Sequence, residues 1–197
     1  MFAEGVTGYF EPGGVDDEPV NFALYGLARQ EIWPDWVKMN YSLPILELGP
    51  GTKVTRSAER LEWPEYDFES PSNPRKAPEG AYRGKLPHED NSVGGVVATH
   101  VLEHLYDARP IIAEVGRVLA PGCPFNIVVP HGDSLLFRQD IDHKCAYVLD
   151  TWKTLLENGY YDNTYGQLEM PKFVIGANFK FSIKEGNEIV VTQLVKQ

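Results

Sequence analysis

Hydrophobic positions along the chain fall into short apolar runs, separated by glycine, proline and charged residues. Ile45-Leu46-Glu47-Leu48 suits a buried parallel strand, and it breaks at Gly49 and Gly51, whose φ freedom permits a tight turn. Arg60 to Trp63 predicts a second, brief strand stopped by Pro64, with room only for a short helix or loop before it. The proline-rich stretch 69–84 reads as loop, and Gly95 to Thr99 as another buried strand. Asp107 to Leu119 is the clearest helix. Asp107 can cap it, Pro110 falls in its first turn, and Ile111, Ile112, Val115, Val118 and Leu119 form one apolar face ahead of Pro121-Gly122. Phe125 to Val129 predicts a strand stopped by Pro130. Tyr147 to Asn158 predicts a helix that buries Val148, Trp152, Leu155 and Leu156 and ends at Gly159. Two last strands, Phe173 to Lys184 and Glu188 to Lys196, flank Glu185-Gly186-Asn187, the signature of a β-hairpin. Ahead of Ile45, residues 1–20 read as an irregular arm able to act as a lid, and Asn21 to Ile32 as a helix followed by Trp33, Pro34 and Trp36.

Strands alternating with helices predict an α/β fold: an open, mostly parallel sheet with helices on both faces, an antiparallel C-terminal hairpin, and an abbreviated first half. The 197 residues suit a single domain, 1–197, with residues 1–40 as arm and 43–197 as core. A strand ending in a Gly-rich turn at the carboxyl edge of such a sheet is where this architecture binds ligands. Net charge is −10, with no basic run, which disfavours a phosphate backbone as partner. Two cysteines, Cys123 and Cys145, make no disulfide framework, and no apolar segment nears the ~20 residues of a membrane span. The expectation is a soluble cytoplasmic protein (in the host cytoplasm, were it phage-encoded), with no membrane partner and an oligomeric state left open.

Three further blocks follow Glu47-Leu48-Gly49-Pro50-Gly51. They are Leu86-Pro87-His88-Glu89-Asp90-Asn91-Ser92-Val93, running into Thr99-His100-Val101-Leu102-Glu103-His104-Leu105; then Glu114-Val115-Gly116-Arg117-Val118-Leu119-Ala120-Pro121-Gly122; then Asp140-Ile141-Asp142-His143-Lys144. In this order they resemble class I S-adenosylmethionine-dependent methyltransferases, the small bacterial and phage-type kind called methyltransferase type 11. That family shows E/D-x-G-x-G, LPF-x-D-x-SFD, S-x-x-LEH, E-x-x-RVLKPGG and DP-x-HK. The resemblance covers about Leu43 to Gly159. It implies a Rossmann-like sheet, S-adenosylmethionine as cofactor and methyl transfer to an acceptor; the acidity of the chain favours a small molecule, sugar or protein over nucleic acid as that acceptor.

By the resemblance, Glu47 organises the methionine end while Gly49, Pro50 and Gly51 let backbone approach it. An acid after the second strand accepts both ribose hydroxyls. Glu62 is the first choice and Asp67 the alternative. Trp63 can lie against adenine or in the core, and Thr99 and His100 flank the methionine and sulfonium. His143, then His100, are candidate proton acceptors, each also readable as a structural histidine. The chain departs from the pattern at Lys53, where many relatives carry a third glycine, and at Gly94, in place of the aspartate of SFD. It departs again near Tyr82 and Arg83, where the adenine-contacting acid is absent.

Two other readings stand beside this one. His100-Val101-Leu102-Glu103-His104 spells H-x-x-E-H, which on a helix would set two histidines on one face around a zinc hydrolase centre. In the methyltransferase reading Leu102 and Leu105 pack inward, Glu103 and His104 cap a helical segment, and no metal ligands are assigned. The second reading is a non-catalytic S-adenosylmethionine-binding or interaction module. A nicotinamide site is disfavoured, because Gly49-Pro50-Gly51-Thr52-Lys53-Val54 lacks the third glycine of G-x-G-x-x-G.

Overall fold

The structure, a computed structural model, describes residues 37–49, 58–61, 66–67, 82–83, 85–157, 171–184 and 186–197. The predicted irregular arm at residues 1–20 and the predicted helix from Asn21 to Ile32, the segment 50–57, and Glu62 and Trp63 lie outside the described residues. Strands run β1 (Ile45–Leu48), β2 (Ala58–Leu61), β3 (Tyr66–Asp67), β4 (Tyr82–Arg83), β5 (Gly95–Thr99), β6 (Pro124–Pro130), β7 (Phe173–Lys184) and β8 (Asn187–Lys196). Helices are α1 (Arg109–Val118), α2 (Leu135–Arg138) and α3 (Leu149–Glu157), with a 3-10 turn at Leu102–His104. The six-stranded sheet has the order β2-β1-β5-β6-β8-β7; its first four strands are parallel, β8 is antiparallel to β6, and β7 is antiparallel to β8. The predicted α/β class and the closing hairpin are what the structure shows.

Side-chain alternation explains the layering. Leu46 and Leu48 of β1, Val96 and Ala98 of β5, and Phe125, Ile127 and Val129 of β6 enter one core. The apolar stripe of α1 (Ile111, Ile112, Val115, Val118) packs there, with Trp152 and Leu155 of α3. The alternate positions Ile45, Val97 and Val128 face a smaller cluster on the other side with Met39, Ile189 and Val191, against which Leu136 of α2 packs. Fully burying one such side chain is worth roughly 1.5–3 kcal/mol, so the α1–α3 face carries most of the described apolar stabilisation.

Arg117 ties two of the sequence blocks together. Its Nη1 donates to the His88 carbonyl at 2.8 Å and to Asp90 Oδ1 at 2.7 Å, and its Nη2 to the Leu86 carbonyl at 3.0 Å and Glu114 Oε2 at 2.9 Å. Glu114 Oε2 also accepts from the Leu86 amide at 2.8 Å. The hydrogen bonds it donates to Glu114, ahead of the opposing cost of burial, raise the Arg117 pKa above its ordinary value. The loop leading into β5 is thereby fixed to α1, and Val93 and Leu119 continue the junction as a β-bridge.

Several boundaries differ from expectation. The second strand is described over Ala58–Leu61 and starts two residues before the predicted Arg60, with Leu61 in register with buried Leu48 of β1; the predicted end at Glu62 and Trp63 lies outside the described residues. Tyr82 and Arg83, read as loop, form a short parallel pairing with Tyr66 and Asp67. Pro130 does not stop β6 but closes it, opposite Ile189; a missing N–H is tolerated at a strand end. The helix predicted from Tyr147 begins at Leu149, and Val148 is exposed instead of buried. Helix α1 starts at Arg109, with Asp107 just ahead of it accepting from the Arg109 amide at 3.0 Å and from its guanidinium at 2.8 and 2.7 Å.

Two outcomes follow from these ion pairs. Arg117→Met leaves the Leu86 and His88 carbonyls and the Asp90 carboxylate without this donor and takes the guanidinium away from Glu114, which keeps the Leu86 amide. It lowers stability by about 2–3 kcal/mol, the scale for hydrogen bonds to a charged group in a half-buried setting, read as the midpoint of a urea melt. At Asp107 burial pushes the pKa up, but the bonds from Arg109 outweigh it and the net direction is down. Its stabilisation is present above the unfolded aspartate value near ~3.9 and is lost as pH falls below that, through the lower folded value. Melts from pH 6 to pH 2.5 show a shallower acid limb for Asp107→Asn than for the parent chain.

Candidate active site

In an open sheet the ligand cleft opens where neighbouring strands depart in opposite directions, outside their carboxyl ends. Here that place lies between β1, whose next strand β2 is on one side, and β5 on its other. The residues delivered to it are Gly49, Thr99 and His100.

Gly49 adopts φ +55°, and a Cβ there would stand 2.8 Å from Val101 Cγ2. Its amide donates to the Leu61 carbonyl at 2.9 Å. The left-handed backbone and the closeness of Val101 each require glycine before any ligand is considered. Glu47, two residues earlier, is fully buried; it alternates with Leu46 and Leu48 and so faces the side of Ile45 and Val97. Thr99, two residues beyond Val97, belongs to the same face, and its Oγ1 is buried with no hydrogen-bond partner among the described residues. A buried hydroxyl without a partner costs about 1–3 kcal/mol, which a ligand's polar group would offset. Pro50, Gly51, Glu62 and Trp63 fall outside the described residues. Of the alternative ribose acid, Asp67, the backbone is described, in register with Arg83.

Among the described residues, the non-glycine positions with positive φ are His100, at +55°, and Asn91, a residue type that tolerates it. The His100 amide donates to the Val128 carbonyl at 2.9 Å, which pins the strand end, and its Nδ1 lies 3.1 Å from Glu103 Oε1. Glu103 is fully buried, whereas the His100 side chain is about one third exposed. A buried carboxylate on Nδ1 holds the proton there and leaves Nε2 with its lone pair, the arrangement of a base with its orienting acid. Sequence reasoning missed this pairing.

The turn carrying Glu103 also gathers a later segment. The Glu103 carbonyl accepts from the Lys144 and Cys145 amides at 2.6 and 3.1 Å. His143 comes to 4.8 Å from His104, ring to ring, and its Nδ1 donates to the Phe137 carbonyl at 3.0 Å. His104 Nδ1 lies 3.3 Å from Asp142 Oδ2. His143 is thus enclosed, with a side chain only 7% exposed, while His100 opens to the cleft. Leu102 and Leu105 pack inward as expected, but Glu103 and His104 do not cap a helix: the turn ends after three residues, with no side-chain cap. The zinc-hydrolase geometry is not formed either, because His100 precedes the turn with a left-handed backbone and shares no helix with His104.

The comparisons agree with this architecture. The family model described as "Methyltransferase domain" matches residues 52–126. No curated protein matches the chain in sequence. The YcgJ protein of Bacillus subtilis is similar in structure at 13% identity, with 89% of this chain and 99% of that one covered and a TM-score of 0.56. A Haloferax volcanii methyltransferase, described as putative and solved with the activator Trm112, gives 14% identity, 98% and 95% coverage, and 0.56. The Burkholderia thailandensis 1,6-didemethyltoxoflavin N1-methyltransferase, solved with that compound and S-adenosylhomocysteine, gives 13%, 92% and 80%, and 0.54. Residues 52–126 thus match a methyltransferase-domain model, and the chain shares the fold of these solved methyltransferase-type proteins.

Proposed function

We propose that the chain moves a methyl group from S-adenosylmethionine to an oxygen or nitrogen of a small molecule, sugar or protein side chain, and that His100 accepts the acceptor's proton. The observation that carries this is His100 itself: a strained backbone at the carboxyl end of β5, with one ring nitrogen on a buried carboxylate and a partly exposed ring. Strained residues of this kind cluster at functional sites. When bound, the cofactor supplies an electrophilic methyl on a positively charged sulfur. Glu47, Gly49, Pro50 and Gly51 are the residues proposed to receive its methionine part, and the Thr99 hydroxyl gains a partner there. Glu62, which follows Leu61 in the chain, is the proposed ribose acid, with Asp67 as alternative, and Trp63 the proposed neighbour of adenine. His143 is a second proton-acceptor candidate, disfavoured by its enclosure.

A net charge of −10 supports an acceptor other than nucleic acid. The acceptor of the Burkholderia relative, named with that protein, is a small molecule as well.

Calorimetry with S-adenosylmethionine and S-adenosylhomocysteine, followed by labelled-methyl transfer to panels of hydroxy and amino acceptors, tests the assignment. Absence of binding at millimolar cofactor ends it, and binding without transfer to any acceptor leaves the non-catalytic module. Gly49→Ala places a Cβ against Val101 in a left-handed backbone. Stability falls by about 1–2 kcal/mol and cofactor affinity falls with it. His100→Gly relieves the backbone that His100→Ala keeps, so the glycine variant melts as the more stable of the two by about 1–2 kcal/mol. Both lose turnover by about 10²–10⁴-fold, the usual contribution of a positioned base.

A further inference from the structure

Outside the cofactor cleft, Glu103, His104 and His143 each offer one ligand atom, and these atoms all lie within 4.8 Å of one another. We propose that they bind a divalent first-row transition-metal ion, Zn2+ being the chemical type. Three ligand atoms about 2.1 Å from a tetrahedral centre stand ~3.4 Å apart, so small side-chain rotations close the cluster.

The independent observation is Glu103. Its side chain has no exposure, one oxygen serves His100, and the other, Oε2, is buried without a hydrogen-bond partner among the described residues. A sealed carboxylate oxygen with no donor is costly, and a cation is the partner it lacks. The imidazoles are prepared as ligands. His143 Nδ1 donates to the Phe137 carbonyl, which leaves the lone pair on Nε2, and that nitrogen is 3.6 Å from Asp140 Oδ2, a further oxygen at the cluster's edge. His104 Nδ1 lies near Asp142 Oδ2 at 3.3 Å, though not aligned for a hydrogen bond, and Lys144 Nζ holds the other Asp142 oxygen at 2.7 Å. An outer carboxylate or carbonyl on the far nitrogen is the usual support of a metal-binding histidine. Two imidazoles with one carboxylate select a transition ion over Mg2+ or Ca2+, which favour all-oxygen shells.

The site differs in ligands from H-x-x-E-H, since His100 is engaged elsewhere and His143 replaces it. Its existence does not depend on methyl transfer. Because Glu103 serves both His100 and the ion, the ion would adjoin the proposed proton acceptor.

Full-length protein stripped with chelator and titrated with Co2+ is the test. The expected result is one ion per chain with visible d–d absorption, displaced by Zn2+, and a rise in melting temperature on Zn2+ addition. His143→Asn and Glu103→Gln weaken affinity by at least the about 10–100-fold seen for outer-shell losses, while His88→Asn, at the far Arg117 junction, binds as the parent does. Circular dichroism of the metal-free proteins confirms that His143→Asn is folded; His104→Asn is the substitute should Glu103→Gln not fold. No stoichiometric uptake, or uptake unchanged in the His104→Asn/His143→Asn double variant, overturns the proposal.

Discussion

One carboxylate, sealed from water at Glu103, holds the working end of this molecule together. Its own carbonyl receives the amides of Lys144 and Cys145, and one side-chain oxygen orients His100. The chain between Glu103 and Lys144 includes α1, β6 and α2, so this turn is where the sheet's carboxyl edge is closed by a distant loop. Burying a charge at such a junction is costly unless each oxygen finds a donor or a cation. The residue at that price must therefore be either structural glue or part of the chemistry. The exposure of His100 beside it, set against its own complete burial, favours chemistry.

The opposite edge is governed by Arg117. Five donor positions on one planar group suit carbonyls and carboxylates arriving from several directions, which a lysine could not serve together. Motif blocks that look independent along the chain, Leu86 to Val93 and Glu114 to Gly122, are two halves of one clamp. Lys196 adds a third strand to it: its ammonium donates to the Leu119 carbonyl at 2.7 Å and to Asn91 Oδ1 at 2.7 Å, at the end of α1 where a cation is favoured. The clamp sets the height of β5, and through β5 the position of Thr99 and His100.

Much of the sheet was legible because burial writes itself into strand composition. Ile45–Leu48, Gly95–Thr99 and the β7–β8 pair are apolar runs bounded by turn residues, and α1 has a clean 3.6-residue stripe. The start of β2 at Ala58 was not legible because a strand reading Ala-Glu-Arg-Leu has no period, so register on β1 decides it. Helix α2 was missed because four residues carry no periodicity; Ser134, accepting from the Phe137 amide, is its one local signal. Within the site, Gly49 and the strand ends were legible. The His100–Glu103 pair was hidden because an acid between Leu and His reads as solvated, and only the turn that buries it shows otherwise. The approach of His143 to His104 joins residues 39 positions apart, which no local pattern records.

Charge also accounts for what the cleft would accept. A dinucleotide's pyrophosphate is held by backbone amides at a helix N-terminus and by a third glycine that allows close packing, which this turn lacks. What the described residues supply instead are buried carboxylates, Glu47 on one strand and Glu103 beyond the next, on a chain of net charge −10. Buried carboxylates of this kind repel phosphate and attract cations more strongly than the same groups would in water. A sulfonium carries positive charge without phosphate, and so does a metal ion held by Glu103, His104 and His143. The same electrostatic bias thus favours both proposed ligands and disfavours the nucleotide that the fold alone would equally admit.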